Sequence, residues 1–194
     1  IGVTTDESER LRATRELQRM NIDLTAAMER AEASAREAEA SRLRAEYLAQ
    51  HDALTGVLSR RAWFEMAASR HPSAIAVFDV DRFKRVNDQH GHAAGDEVLR
   101  LFARHAAASM RETDVLARWG GEEFLVMLPD TRLTAARLGL ERLRSRVEAL
   151  RVDHDGAAMA FTMSAGLGEH RAGDSVVESI ARADRALYQA KQQG

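Results

Sequence analysis

Two adjacent glycines constrain the middle of this chain more than any other feature. Val115-Leu116-Ala117 before them and Phe124-Leu125-Val126-Met127-Leu128 after them are apolar runs of strand type, joined through Gly120-Gly121. So tight a connection between two strands predicts a β-hairpin, because the turn needs a positive φ that glycine takes without steric cost. Glu122 and Glu123 stand directly beyond the turn, at the mouth of a strand that should be buried. An ionised carboxylate is costly to remove from water without a partner, so paired acids here mean either a solvated turn or the edge of a site.

The 194 residues allow one ordinary domain and an extension. A formal charge of −2, from 28 basic and 30 acidic residues, gives no electrostatic ground for a nucleic-acid partner. Cysteine is absent, which rules out a disulfide framework and thiol chemistry and is compatible with a reducing, cytoplasmic setting. No apolar run approaches the roughly 18 residues of a membrane span, and no signal-peptide pattern opens the chain, so no membrane contact is expected of this stretch.

Residues 1–8 are β-branched and then polar, and resemble the closing strand of a PAS sensor domain, hence the remnant of an upstream domain. Residues 9–50 contain neither proline nor glycine and are mostly Ala, Glu, Arg and Leu, a strongly helical composition. Alternating steps of four and three pick out Leu17, Asn21, Leu24, Met28, Ala31, Ala35, Ala38, Arg42 and Ala45. That seam predicts a parallel two-stranded coiled coil, hence a homodimer, with Asn21 fixing register. The alternative is a long solvated helix. The alanine-rich middle is a thin seam, able to hold two registers, through which an upstream sensor could act.

The helical pattern breaks at His51-Asp52-Ala53-Leu54-Thr55-Gly56, with Gly56 as its expected stop, and a second domain is placed at 51–194. A short helix over Arg60–Ser69 should stop at His71-Pro72. Ala74-Ile75-Ala76-Val77-Phe78 reads as a buried strand ending in Asp79-Val80-Asp81. Acids on one face at the end of such a strand suit an oxygen-ligand Mg²⁺ site, and Asp81 doubles as a helix N-cap. The helix that follows is interrupted over residues 91–96. Asn87 and Asp96 flank that break, and an amide with a carboxylate has the groups to read a guanine edge, although both could be ordinary turn and cap residues.

After the hairpin, Leu133, Ala136, Leu140, Leu143, Val147 and Leu150 mark a core-facing helix. Asp155-Gly156 predicts a turn and residues 158–167 one strand. Ser175-Val176-Val177-Glu178 is a capping box opening a last helix, with Val177, Ile180, Ala183 and Leu187 inward and Lys191 at its end. The fold class is α+β, with helices on one face of a mixed, mostly antiparallel sheet.

These residues fall into an order that resembles GGDEF-domain diguanylate cyclases, in the GGEEF variant. The resemblance covers about 52 to 191 and rests on Asp52-Ala-Leu-Thr-Gly, Asp79-Val-Asp-Arg-Phe-Lys84, Asn87-Asp88, Gly91-His-Ala-Ala-Gly-Asp96, Arg118-Trp-Gly-Gly-Glu-Glu-Phe and Ala183-Asp-Arg-Ala-Leu-Tyr-Gln-Ala-Lys191. Ser59 stands where the family usually has Asn, and Trp119 where Tyr or Phe is common.

The resemblance implies a palm-like, nucleotidyl-cyclase-like domain that condenses two GTP into cyclic di-GMP with release of two pyrophosphates. It implies Mg²⁺, with Mn²⁺ as a substitute, bound by Asp79, Glu122 and the Val80 carbonyl. Glu122 would be the base for the 3′-hydroxyl, while Glu123 should point the other way or reach the metal less directly. Asn87, Asp96 and His92 would face guanine. Lys84, Lys191 and Arg118 would neutralise the triphosphate, and Gly120 and Gly121 would let backbone approach it. Arg111 and Asp114 match the family's RxxD product-inhibition site, with Arg142 in support. The rival functions are a non-catalytic cyclic di-GMP or GTP-binding module, a coiled-coil scaffold, and a cyclase that also takes ATP.

Overall fold

The structure, a computed structural model, describes residues 3–70, 72–154 and 156–193. They divide into two compact units, one reaching to Tyr47 and the other starting at Leu48.

The described residues of the first unit are helical, within α1 (Val3–Gln50). The strand expected over residues 1–8 is therefore corrected to helix from Val3 onward, and Ile1 and Gly2 lie outside the described residues. Extending an existing helix adds one hydrogen bond per residue, whereas a strand needs a neighbour to pair with. The seam side chains Leu17, Leu24 and Met28 are 66%, 59% and 58% exposed, so this helix carries an exposed apolar stripe. Arg42, on the seam, is held within the helix by Glu39 at 2.7 Å and by Glu46.

In the second unit α1 ends at Gln50, and Gly56 closes the following turn instead of stopping the helix. The Asp52 carboxylate accepts the Thr55 N–H at 2.9 Å and hydroxyl at 2.6 Å, and Gly56 sits at φ +73°. Then come β1 (Leu58–Ser59), α2 (Arg60–Ser69), β2 (Ala74–Val80), α3 (Phe83–Ala107), β3 (Val115–Gly120) and β4 (Glu123–Leu128). They are followed by α4 (Leu133–Ala149), β5 (Val152–His154), β6 (Ala157–Met159), β7 (Met163–Glu169) and α5 (Val176–Gln193). Ser59 caps α2, its hydroxyl accepting the Ala62 N–H at 3.3 Å. His71, the expected helix stop, lies outside the described residues, and α2 has already ended at Ser69.

The main sheet has the order β1-β3-β4-β2-β7, parallel only between β1 and β3. Helices cover both of its faces, which corrects the one-sided packing expected from sequence. Every residue of β2 is buried. Ala76, Phe78 and Val80 join Phe102, Leu143 and Val147 of α3 and α4. Ile75 and Val77 join Trp63, Ile180 and Leu187 of α2 and α5. An unbroken apolar run is what a strand sandwiched between helices requires.

Three local expectations change. The run 158–167 divides between β6 and β7, because β6 turns back on β5 as a separate hairpin around Gly156 (φ +79°), while Asp155 lies outside the described residues. The break in α3 is a kink at Gly91 alone (φ 82°, ψ 164°), with helix resuming at once. Val177 is 63% exposed; α5 turns Ile180, Ala183 and Leu187 inward behind the Ser175–Glu178 capping box. Among the described residues no helix is long and apolar enough to cross a membrane.

Candidate active site

The antiparallel register of β2 and β4 pairs Phe78 with Phe124 and Asp79 with Glu123. Directly opposed residues share a face of the sheet, so Asp79 and Glu123 both turn toward the side covered by α5. Glu122 is one step further into the turn, and its carbonyl accepts the Val80 N–H at 3.3 Å. Glu123 therefore stands across from Asp79 and does not point away, the first of the two placements expected of it.

Asp79 is only 6% exposed, and its Oδ2 lies 2.7 Å from Lys191 Nζ. Burial pushes the Asp79 carboxyl above its ordinary range; Lys191 pulls it back, and Glu122 and Asp81 push it further up. Glu123 is also raised, by burial first, then by Asp79 and Asp184, with Lys191 opposing. Asp184 on α5 is raised by burial. Crowded carboxylates held against one ammonium form a site short of positive charge. Among the described residues no three or more His, Cys, Asp and Glu gather closely enough to hold a metal by themselves.

Bare strand backbone brings Lys191 to this place. A Cβ on Gly166 would come within 2.1 Å of the Ala183 carbonyl oxygen, and one on Gly168 within 2.6 Å of that of Ser179. Helix α5 thus presses directly on β7, and its last turns deliver Lys191 to the end of β2. The sequence signal was the Gly-x-Gly spacing, which puts both glycines on one face of a strand.

The hairpin turn is braced from behind. Gly121 alone of the pair takes a positive φ (+49°), while a Cβ on Gly120 would meet nothing within 4 Å, so the turn presents open backbone. Arg118 donates from Nε and Nη2 to the Gly121 carbonyl at 3.0 and 2.6 Å, and from Nη1 to the Asp52 carboxylate at 3.1 and 3.3 Å. Its side chain is 17% exposed. This guanidinium is committed to the turn and to Asp52. Partial burial pushes Asp52 up, yet hydrogen bonds from Thr55 and then from Arg118 hold its carboxyl below the ordinary range. Arg60 lies 4.1 Å over the Trp119 ring, which packs against Phe64 and Trp63, and Trp63 Nε1 donates to the Val115 carbonyl at 3.0 Å.

On α3, Lys84 is exposed in the first turn and His92 is exposed just past the kink. Asn87 and Asp96, on opposite sides of the kink, are brought together through Gly95. A Cβ there would overlap Asn87 Oδ1 at 2.0 Å, so the amide lies against the residue next to Asp96. Asp96 makes a 3.8 Å ion pair with Arg100 of its own helix. Asp81 is not the helix cap. Arg82 takes that position at φ 54°, and Asp81 is bonded to the residues around the start of β7.

Arg111 and Asp114 close a tight turn before β3. The Arg111 N–H donates to Asp114 Oδ2 at 2.8 Å, and the Asp114 N–H to the Arg111 carbonyl at 3.0 Å. The Arg111 side chain is exposed, and Asp114 Oδ1 is buried with no hydrogen-bond partner among the described residues. Arg142 is exposed on α4 and makes no bond to this turn, while Arg146 of the same helix reaches the Ser109 hydroxyl at 3.2 Å.

Comparison with known proteins matches residues 49–194 to the family model for the diguanylate cyclase GGDEF domain. Diguanylate cyclase DgcP of Pseudomonas aeruginosa is 40% identical over 203 aligned positions, covering 97% of this chain and 30% of that protein. DgcM of Escherichia coli is 39% identical over 157, covering 77% and 38%. The chain thus spans about a third of the curated relatives' length. Among solved structures, the coiled coil and GGDEF domain of DgcB from Caulobacter crescentus, in complex with c-di-GMP, is similar at TM-score 0.79 and 27% identity, covering 88% of this chain and 95% of that one. Diguanylate cyclase SiaD of P. aeruginosa, in complex with its activator SiaC, is similar at TM-score 0.74 and 34% identity, covering 98% and 76%.

Proposed function

This chain belongs to the GGDEF-domain diguanylate cyclase family, and from that premise we propose that it condenses two GTP into cyclic di-GMP, releasing two pyrophosphates. The observation that carries this reading is the junction of Asp79, Glu122, Glu123 and Lys191 where β2, β4 and α5 meet. Phosphoryl transfer is mostly positioning and charge stabilisation, and this is a rigid, charged edge built on strands.

Asp79, Glu122 and the Val80 carbonyl would hold Mg²⁺, or Mn²⁺ in its place. The donors are all hard oxygens, and Asp79 already holds a cation, the Lys191 ammonium. Mg²⁺ is commonly held by one or two carboxylates with water and substrate phosphate completing its shell, so a set this small fits it. When bound, the ion supplies a lowered 3′-hydroxyl pKa and neutralises charge on the phosphate. Glu122 takes the 3′-hydroxyl proton. Glu123, raised first by burial and then by Asp79 and Asp184, would stand beside the ion as a further carboxyl group. Lys191 leaves Asp79 for the triphosphate, joined there by Lys84. Asn87 and Asp96 read the guanine edge, with His92 beside them.

Each domain holds one GTP, while the reaction joins two, so two copies must face each other. The exposed apolar stripe of α1 supports a homodimer through a coiled coil, which brings the halves to high effective concentration. An upstream sensor would set the register of that coil. Arg111, Asp114 and Arg142 would bind the product and slow the enzyme; the partnerless buried Asp114 oxygen supports a ligand there. Incubating the purified chain with GTP and Mg²⁺ tests the function: cyclic di-GMP and pyrophosphate should appear at one to two, with ATP a poor competitor. Absence of cyclic di-GMP from a folded dimer would overturn it.

A further inference from the structure

We propose that the β5–β6 hairpin is a specificity element: His154 clasps Glu97 on α3 and so positions its neighbour Asp96 against the guanine edge. This rests on the reading of Asn87 and Asp96 given above. It makes His154 and Glu97 positioning residues and gives the hairpin, which has no part in the site described so far, a task in substrate choice.

The hairpin stands outside the main sheet. β5 and β6 form a two-stranded sheet of their own, with Val152 opposite Met159 and His154 opposite Ala157. A two-stranded hairpin is marginal in water by itself, so it must be held by what it touches. Val152 and Met159 are buried in the core that α3 and α4 share. The Asp153 carboxylate accepts the Gly156 N–H at 3.1 Å and closes the turn. From that footing His154 Nδ1 donates to Glu97 Oε2 at 3.1 Å, across 57 residues of chain. A carboxylate only accepts, so the proton of this contact belongs to Nδ1. Both side chains are partly buried, which shields the bond from full solvent screening.

The clasp reaches the least anchored part of α3. Gly91 breaks the helix at φ 82° and ψ 164°, so the residues just after it make a fresh first turn. Amides of a first turn lack partners within the helix, and helix ends open before middles do. Large core side chains begin at Val98, with Leu99 and Phe102 behind it; between the kink and Val98 the buried residues are Ala94 and Gly95, which offer little to grip. The ion pair of Asp96 with Arg100 lies within the helix and cannot fix its roll. Glu97 is the next residue, about 100° further round the helix. A tie from outside at Glu97 therefore fixes the direction in which Asp96 points. That direction matters, because a carboxylate accepting from the guanine ring N–H and 2-amino group loses strength steeply when the bonds are misaligned.

The test uses GDP and IDP, which differ by the 2-amino group alone. Calorimetric titration in the presence of Mg²⁺ gives both dissociation constants for wild type, His154→Ala, Glu97→Ala, the double variant and His154→Gln, each checked for folding by its melting curve. Wild type should bind GDP at least about tenfold tighter than IDP, the worth of one hydrogen bond to a charged group. Each alanine variant should cut that ratio at least about threefold, by weakening GDP more than IDP. The double variant should be no worse than either single one, because both changes open the same bond. His154→Gln should keep most of the ratio, since its amide N–H can donate to Glu97. A lower melting temperature with the wild-type ratio intact would make the hairpin a structural prop and overturn the clasp; so would additive losses in the double variant. Should His154→Ala not fold, Glu97→Ala still decides. Equal binding of GDP and IDP by wild type overturns the clasp together with the guanine reading. Binding is read without turnover, so the clasp and the parent function can fail separately. A protein that makes cyclic di-GMP but whose variants keep the ratio loses the clasp alone, and one that makes none while the ratio falls in its variants keeps it.

Discussion

Asp79 and Glu123 oppose each other across β2 and β4, two acids in direct register at the ends of two strands that are otherwise apolar. Both carboxyls are pushed up by burial, and each is pushed further by neighbouring acids. An acid raised in the folded state contributes most to stability below its ordinary pKa, and that contribution is lost as pH rises through the raised value. Glu123→Gln should therefore melt higher than wild type at neutral pH, and the gap should close below about pH 4, where ordinary glutamates are protonated. Melting curves at the two pH values check this; equal curves at neutral pH would count against the crowding.

The Arg118 brace makes the opposite pH prediction. Asp52 is held below the ordinary range, so its contribution is present above the ordinary Asp pKa and fades as pH falls through the lower folded value. Asp52→Asn should be less stable than wild type at neutral pH and converge with it in acid. Arg118→Ala should cost about 2 kcal/mol in urea unfolding, since a largely buried guanidinium loses bonds to the Gly121 carbonyl and to Asp52. Arg118→Lys should recover little, because an ammonium cannot span both acceptors. A double-mutant cycle of the two positions should show coupling above about 0.5 kcal/mol.

The glycines separate stability from binding. Gly166→Ala drives a methyl into the Ala183 carbonyl and the Leu187 backbone, which cannot yield cheaply, and should cost about 1–3 kcal/mol. Gly95→Ala meets chiefly the end of the Asn87 side chain, which can swing away. It should leave the melting temperature nearly unchanged while raising KM for GTP about tenfold, the effect of one misplaced hydrogen-bonding group. Parallel melting and kinetic measurements distinguish the two outcomes.

Legibility in the sequence followed the range of the interactions. The hairpin was visible because Gly120-Gly121 sits between two apolar runs, a local pattern. The capping box of α5 and the span of α2 were visible for the same reason. The β5–β6 hairpin was hidden because residues 158–167 look like one apolar run, and only pairing with β5 divides it. That Glu123 stands across from Asp79 depends on strand register, which a one-residue shift would reverse. Arg118 looked free because its partner Asp52 lies 66 residues away. Asp81 looked like a cap because its hydroxyl donors come from around the start of β7, in no local pattern with it.

Regulation by product is open to a simple test. Arg111→Ala leaves the junction of β2, β4 and α5 untouched, so initial rates should match wild type while inhibition by added cyclic di-GMP weakens at least about tenfold, as expected for loss of a bidentate charged contact. Progress curves with and without added product read both quantities. Unaltered inhibition would remove the 111–114 turn from the product site.

The most direct measurement is the rate of cyclic di-GMP formation from GTP over a Mg²⁺ titration, for wild type, Asp79→Asn and Glu122→Gln. Wild type should rise to a plateau with Mg²⁺, while both variants, folded and dimeric, should stay at least about a thousandfold lower at every Mg²⁺ concentration. Near-normal turnover by either variant would contradict a catalytic edge built on Asp79 and Glu122.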